Sequence, residues 1–225
     1  MLQTNLSRIT TRIADYERKY AREPHSVQLV AVSKTQSGET VRMAYALGQR
    51  RFGENYLQEA MEKMVQLADC AIEWHFIGPI QSNKTRDLAA HFDWVHSVDR
   101  LKIAERLNEQ RNKPAPLNVL IQVNVSGEAS KSGCSLAELA SLAKAIAGLP
   151  RLRLRGLMAI PAPETDFLKQ REVFARLRQA RDALLTQGHA DCTALSMGMS
   201  ADFEAAIAEG ATLVRIGSDI FGKRQ

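Results

Sequence analysis

The chain has 225 residues, 45% hydrophobic and 24% charged, the composition of a folded globular protein with enough apolar material for a full core. Its formal net charge of +5 is modest and its basic residues are spread out, which excludes a nucleic-acid stripe and suits an anionic small ligand. Three dispersed cysteines, Cys70, Cys134 and Cys192, show no CxxC spacing, which speaks against a disulfide framework or a zinc site and for a reducing cytoplasm.

Residues 2–20 carry Leu6, Ile9, Ile13 and Tyr16 at spacings of three and four, which predicts an amphipathic helix on the outside of the body. That stretch has no apolar core region of a signal peptide or membrane span, and Pro24 follows its end. The run Leu29-Val30-Ala31-Val32-Ser33-Lys34 then reads as a strand buried on both faces that ends on a lysine. From there strands and helices alternate. Strands are expected at 51–55, 74–78, 94–98, 117–125, 152–160, 193–195 and 213–216. Helices are expected at 40–47, 56–68, 83–91, 100–109, 135–147, 164–186 and 201–209, with a short terminal element from 220. Ser135 with Glu138 forms a capping-box pattern, and Gly48 and Gly210 stand as helix stops. Arg151, Arg153 and Arg155, alternating with Leu152 and Leu154, read as the solvated side of a strand.

Eight strand–helix units in this length match a closed (β/α)8 barrel, expected as a single domain over 1–225 with 1–22 as an added N-terminal helix. The rival, an open doubly wound sheet of the dinucleotide-binding kind, is disfavoured because no GxGxxG follows the first strand. In a barrel the strand carboxyl ends share one mouth, and the register delivers Lys34, Asn55, His75, Asn124, Met158, Ser196 and Arg215 there.

Lys34 is the first residue of chemical interest. An amine in an apolar, water-poor setting loses some of its basicity and becomes a nucleophile; the plain alternative is a lysine that snorkels to solvent at a strand end. The segment Leu195-Ser196-Met197-Gly198-Met199-Ser200 and the turn Gly217-Ser218 follow the seventh and eighth strands, where barrels often bind phosphate. Simple capping explains one serine but not two such adjacent loops. A phosphate there and a lysine on strand one point to pyridoxal 5′-phosphate (PLP), with Arg215 as partner of its ring nitrogen. Arg215 paired to Glu54 or Asp202 is the other reading of that arginine.

Six stretches go further: VAVSKT (30–35), FGENYLQE (52–59), WHFIGPIQSNK (74–84), GLMAIPAP (156–163), LSMGMSADFEAAI (195–207) and VRIGSDIFG (214–222). On these the chain resembles, over nearly its whole length, the PLP homeostasis protein family, which is similar to the barrel domain of bacterial alanine racemase. The resemblance implies Lys34 as the Schiff-base lysine and Arg215 as the group facing the pyridine nitrogen. It implies Ser196, Ser200, Gly217 and Ser218 as phosphate binders, and Asn55, His75 and Met158 as residues lining the cofactor. Threonine is common in the family where Ser218 stands; the hydroxyl survives the change. No catalytic residue and no metal ligand is implied. The expected function is PLP binding in vitamin B6 balance, with effects on amino-acid metabolism. Apo PLP-dependent enzymes are the recipients this implies, and the chain is expected as a cytoplasmic monomer or loose dimer.

Three alternatives stay open from sequence: a weak amino-acid racemase, a Schiff-base aldolase acting on a phosphorylated substrate, and a regulatory partner of other enzymes that happens to hold PLP. Racemisation needs a second acid–base group opposite the lysine. In alanine racemase that is a tyrosine from a further carboxyl-terminal domain, expected to be absent from a chain that stops at Gln225. Of the four tyrosines only Tyr56 falls near the mouth. Lys84 and Lys131 read as solvated loop lysines.

Overall fold

The computed structural model describes residues 1–127 and 132–222; Lys131 lies outside them. Eight parallel strands close into a barrel in chain order: β1 (Gln28–Val32), β2 (Arg51–Glu54), β3 (Glu73–Phe76), β4 (Trp94–Val98), β5 (Leu117–Gln122), β6 (Leu152–Met158), β7 (Ala194–Ser196) and β8 (Leu213–Ile216). The ring is sealed by β1 against β8, with Val30 opposite Arg215. The outer helices are α2 (Gly38–Ala46), α3 (Leu57–Gln66), α4 (Thr85–His91), α5 (Leu101–Gln110), α6 (Leu136–Ala147), α7 (Phe167–Thr186) and α8 (Phe203–Ala208). The chain opens with α1 (Leu2–Lys19) and ends its described part with α9 (Ser218–Phe221).

Each strand is apolar toward the helices, as in a sheet covered on its outer face. Phe52, Trp74, Phe76, Val95, Ile121, Leu157, Leu195 and Val214 belong to that large outer core. The alternate positions point into the barrel. A smaller cluster of Val30, Leu120, Met158, Ala194 and Leu213 packs there, with Trp94 against it. The same parity places His75, His96, Ser196 and Arg215 inside, all buried. Arg153 lies on the exposed side of its strand in an ion pair with Asp191, as its alternation predicts. Arg155 does not: its guanidinium sits over the ring of Trp94, which packs against the interior cluster.

Helix starts follow their caps. Ser135 and Glu138 form the predicted capping box. The helix predicted from residue 164 starts at Phe167, because the Asp166 carboxylate accepts the amides of Leu168 and Lys169. Helix α1 buries Leu6, Ile9 and Ile13 and leans on α8 and α9. Tyr16 meets Phe203 edge to face, and the Asn5 side-chain amide donates to the Ile220 carbonyl. The added helix therefore braces the segment that follows β8. Among the described residues no helix is long and apolar enough to cross a membrane.

Candidate functional site

A cavity of about 320 Å³ opens at the carboxyl ends of β1, β2 and β8, within the size range of small-molecule sites. Lys34, Asn55, Ser200, Arg215, Gly217 and Ser218 line it together, so six of the nine predicted binding residues share one wall. Val32, Ile77, Ile160, Met199 and Phe221 supply apolar surface suited to a flat ring. The other three stand elsewhere. Met158 packs in the barrel interior, and His75 and Ser196 are buried behind the cavity wall. Asn124, also expected at the mouth, accepts the Gly127 amide in the loop after β5 and does not line the cavity.

Lys34 is half-buried, two residues past the end of β1. Its two neighbours in the chain are clamped from below. The Lys63 ammonium, nearly buried on α3, donates to the Ser33 carbonyl at 2.6 Å and to Glu54 Oε1 at 2.8 Å. Glu54 Oε1 also accepts the Ser33 hydroxyl at 2.6 Å. Glu59 accepts both from Lys63 and from the Thr35 amide. Thr35 sits at φ 65°, a left-handed conformation that costs a β-branched residue energy and persists where its surroundings hold it. This network escaped sequence reading; the only trace was the i, i+4 spacing of Glu59 and Lys63 on a helix. Burial raises the Glu54 carboxyl above its usual range, opposed mainly by the charge of Lys63.

Across the cavity, Ser200 and Ser218 bring two loops together, their hydroxyl oxygens 3.3 Å apart. Among the described residues no hydrogen bond takes up the backbone amides of Ser200, Ala201, Gly217 or Ser218. Four amides without internal acceptors, on two loops joined by a pair of hydroxyls, suit an anion with several oxygens. Gly198 makes the first loop possible: it turns at φ +93°, and an added Cβ would press on Ala206 and Phe203.

Arg215 is buried, with Nη1 donating to Ser196 Oγ at 2.7 Å and Nη2 to the Ala159 carbonyl at 3.0 Å. No ion pair to Glu54 or Asp202 forms among the described residues. Burial lowers Arg215 to about 10, so it stays charged near neutrality and only donates hydrogen bonds. The Asn55 side-chain oxygen is buried and lacks a hydrogen-bond partner among the described residues, an unmet acceptor on the same wall. Amine, guanidinium, amide and anion cradle together fit a small aromatic phosphate bearing an aldehyde.

No tyrosine lines the cavity among the described residues. Tyr56 is the N-cap residue just before the start of α3 and is 55% exposed. Tyr20 bonds Glu204, and the Tyr45 hydroxyl accepts the Ala71 amide on the outside. Lys84 ends a short 3-10 turn and lies off the cavity.

Residues 4–225 match the family model described as alanine racemase, N-terminal domain. The chain is 58% identical over 223 residues to a pyridoxal phosphate homeostasis protein of Pseudomonas aeruginosa, covering 98% of this chain and 94% of that protein. It is 53% identical over 227 residues to the pyridoxal phosphate homeostasis protein of Escherichia coli K12, with 98% and 95% covered. Among solved structures it is similar to PipY of Synechococcus elongatus PCC7942 with PLP bound. There the TM-score is 0.82 at 38% identity, over 93% of this chain and 100% of that one.

Proposed function

The chain belongs to the pyridoxal phosphate homeostasis protein family, and on that premise we propose that it binds PLP in this cavity and carries or regulates it inside the cell, without turning over amino acids. The observation that carries the reading is one wall holding Lys34, Arg215, Asn55 and the Ser200–Ser218 cradle. Bound PLP supplies an aldehyde that condenses reversibly with a primary amine, and a phosphate dianion. Lys34 offers the amine from a clamped strand end. Ser200, Ser218 and the amides around them hold the phosphate. Arg215 would donate to the ring nitrogen and disfavour a proton there, which would leave the ring a weak electron sink.

Among the described residues the wall has one amine and no tyrosine, which supports this reading, because racemisation needs a second acid–base group to return the α-proton from the other face. On this reading the protein acts in the cytoplasm as a single-domain monomer whose partners are PLP and apo PLP-dependent enzymes.

Two arms of one experiment test this. PLP-loaded protein mixed with an apo PLP-enzyme in the presence of a PLP trap is expected to restore activity that free PLP, captured by the trap, does not. No restoration contradicts the carrier role. In heavy water the same protein is expected to leave the α-hydrogen of L-alanine unexchanged. Exchange near 1 per second or faster, lost in Lys34→Ala and in Tyr56→Phe, would make it an enzyme with Tyr56 as the second group.

A further inference from the structure

Behind the cavity wall a row of polar side chains crosses the barrel interior to Arg215, and none of the roles above uses the others. Strand parity turns Glu73 and His75 of β3, His96 of β4, Ser196 of β7 and Arg215 of β8 inward. Their spacing is that of continuous hydrogen bonds. Arg215 Nη1 lies 2.7 Å from Ser196 Oγ, which lies 2.9 Å from His96 Nδ1. His96 Nε2 is 2.9 Å from His75 Nδ1, and His75 Nε2 is 2.8 Å from Glu73 Oε1.

The two ends dictate the direction. A guanidinium only donates, so Ser196 Oγ accepts from Arg215 and its own proton goes to His96 Nδ1. A carboxylate only accepts, so His75 donates from Nε2 and keeps a lone pair on Nδ1. His96 then donates from Nε2 to that lone pair, and each ring nitrogen is used once. No other placement with neutral rings satisfies both ends. Glu73 is held ionised: the hydrogen bond from His75 keeps its carboxyl below the usual range, and Arg51 Nε donates to it at 3.1 Å. Burial pushes both histidines below the ordinary value, His96 further because His75 and Arg215 face it. Trp94 stacks on His75 with centroids 5.5 Å apart, and both histidines are fully buried.

We propose that Glu73, His75, His96 and Ser196 are positioning residues for Arg215: a one-way hydrogen-bond chain through the barrel that fixes the guanidinium at the cavity wall, each imidazole carrying its proton on Nε2. A buried row of this kind is stabilising only when every member is satisfied, so the guanidinium has one low-energy orientation. Its consequence for a ligand rests on the PLP reading above; its existence does not.

The experiment has two parts. In ligand-free protein, 15N NMR of histidine-labelled samples, assigned with His75→Gln and His96→Gln, reads the tautomers directly. Both rings are expected to be neutral at pH 7 with Nδ1 unprotonated; a protonated Nδ1 on either overturns the chain. In the second part, equilibrium binding of PLP is compared with that of an analogue carrying C–H in place of the ring nitrogen. Ser196→Ala is expected to weaken PLP about tenfold and the analogue less than twofold. An equal loss for both overturns the positioning role. Failure of wild-type protein to bind PLP at all would sink the functional reading instead, while the tautomers still judge the chain.

Discussion

Replacing Lys63 by alanine is expected to cost about 3–5 kcal/mol of stability, the usual result of stripping one partner from a buried ion pair. The Lys63 side chain is 4% exposed and that of Glu54 fully buried. One ammonium serves Glu54, Glu59 and the Ser33 carbonyl. Without it the Glu54 carboxylate keeps only the Ser33 hydroxyl, and its second oxygen already has no partner among the described residues. The loss should depend on pH, with a sign that follows from the carboxyl. Burial already raises Glu54, and the lysine's charge and hydrogen bond are the main opposing influences. In Lys63→Met the folded-state pKa therefore rises further above the unfolded value of about 4.3. The folded variant binds more protons than the unfolded chain, so its stability is fullest below that value and falls as pH rises through the new one. Chemical denaturation at pH 5 and pH 8 checks this; a deficit equal at both would mean that Glu54 is solvated. Adding Glu54→Gln to Lys63→Met should recover most of the loss.

Pyridoxal, which lacks only the phosphate ester, is expected to bind at least a hundredfold more weakly than PLP. Ser200 and Ser218 offer two hydroxyls, and the neighbouring amides have no internal acceptor among the described residues. Each hydrogen bond to a charged oxygen contributes about 1.5–3 kcal/mol. Two of them already amount to about 3 kcal/mol, or roughly two powers of ten in affinity. Equal affinities measured by titration would remove the phosphate from this cradle. Ser200→Ala together with Ser218→Ala should narrow the gap from the PLP side and leave pyridoxal binding unchanged.

The strands were legible because a parallel barrel wall is apolar over consecutive residues, and β4 and β8 fall on their expected bounds. The cavity was legible because Lys34, Asn55, Arg215 and Gly217 all lie within two residues of a strand's carboxyl end. Ser196 was placed with Ser200 because both lie in one short loop. The left-handed turn at Gly198 separates them, so Ser196 keeps the inward parity of β7 and stands behind Arg215. His75 between Trp74 and Phe76 showed the alternation that turns it inward, but not which group it would meet. His96 lies 21 residues further along and Ser196 another 100, and only barrel closure brings them together. Lys63 was hidden for a similar reason: on a helix outside the barrel, nothing local shows that its ammonium reaches under the end of β1.

The central claim is that the amine of Lys34 holds the cofactor. Protein loaded with PLP and reduced with borohydride can be digested and the pyridoxyl-bearing peptide sequenced. The account predicts one dominant modified residue, Lys34, and no stable adduct in Lys34→Ala. Modification falling mainly on Lys84 or Lys131 in the wild-type chain would contradict it.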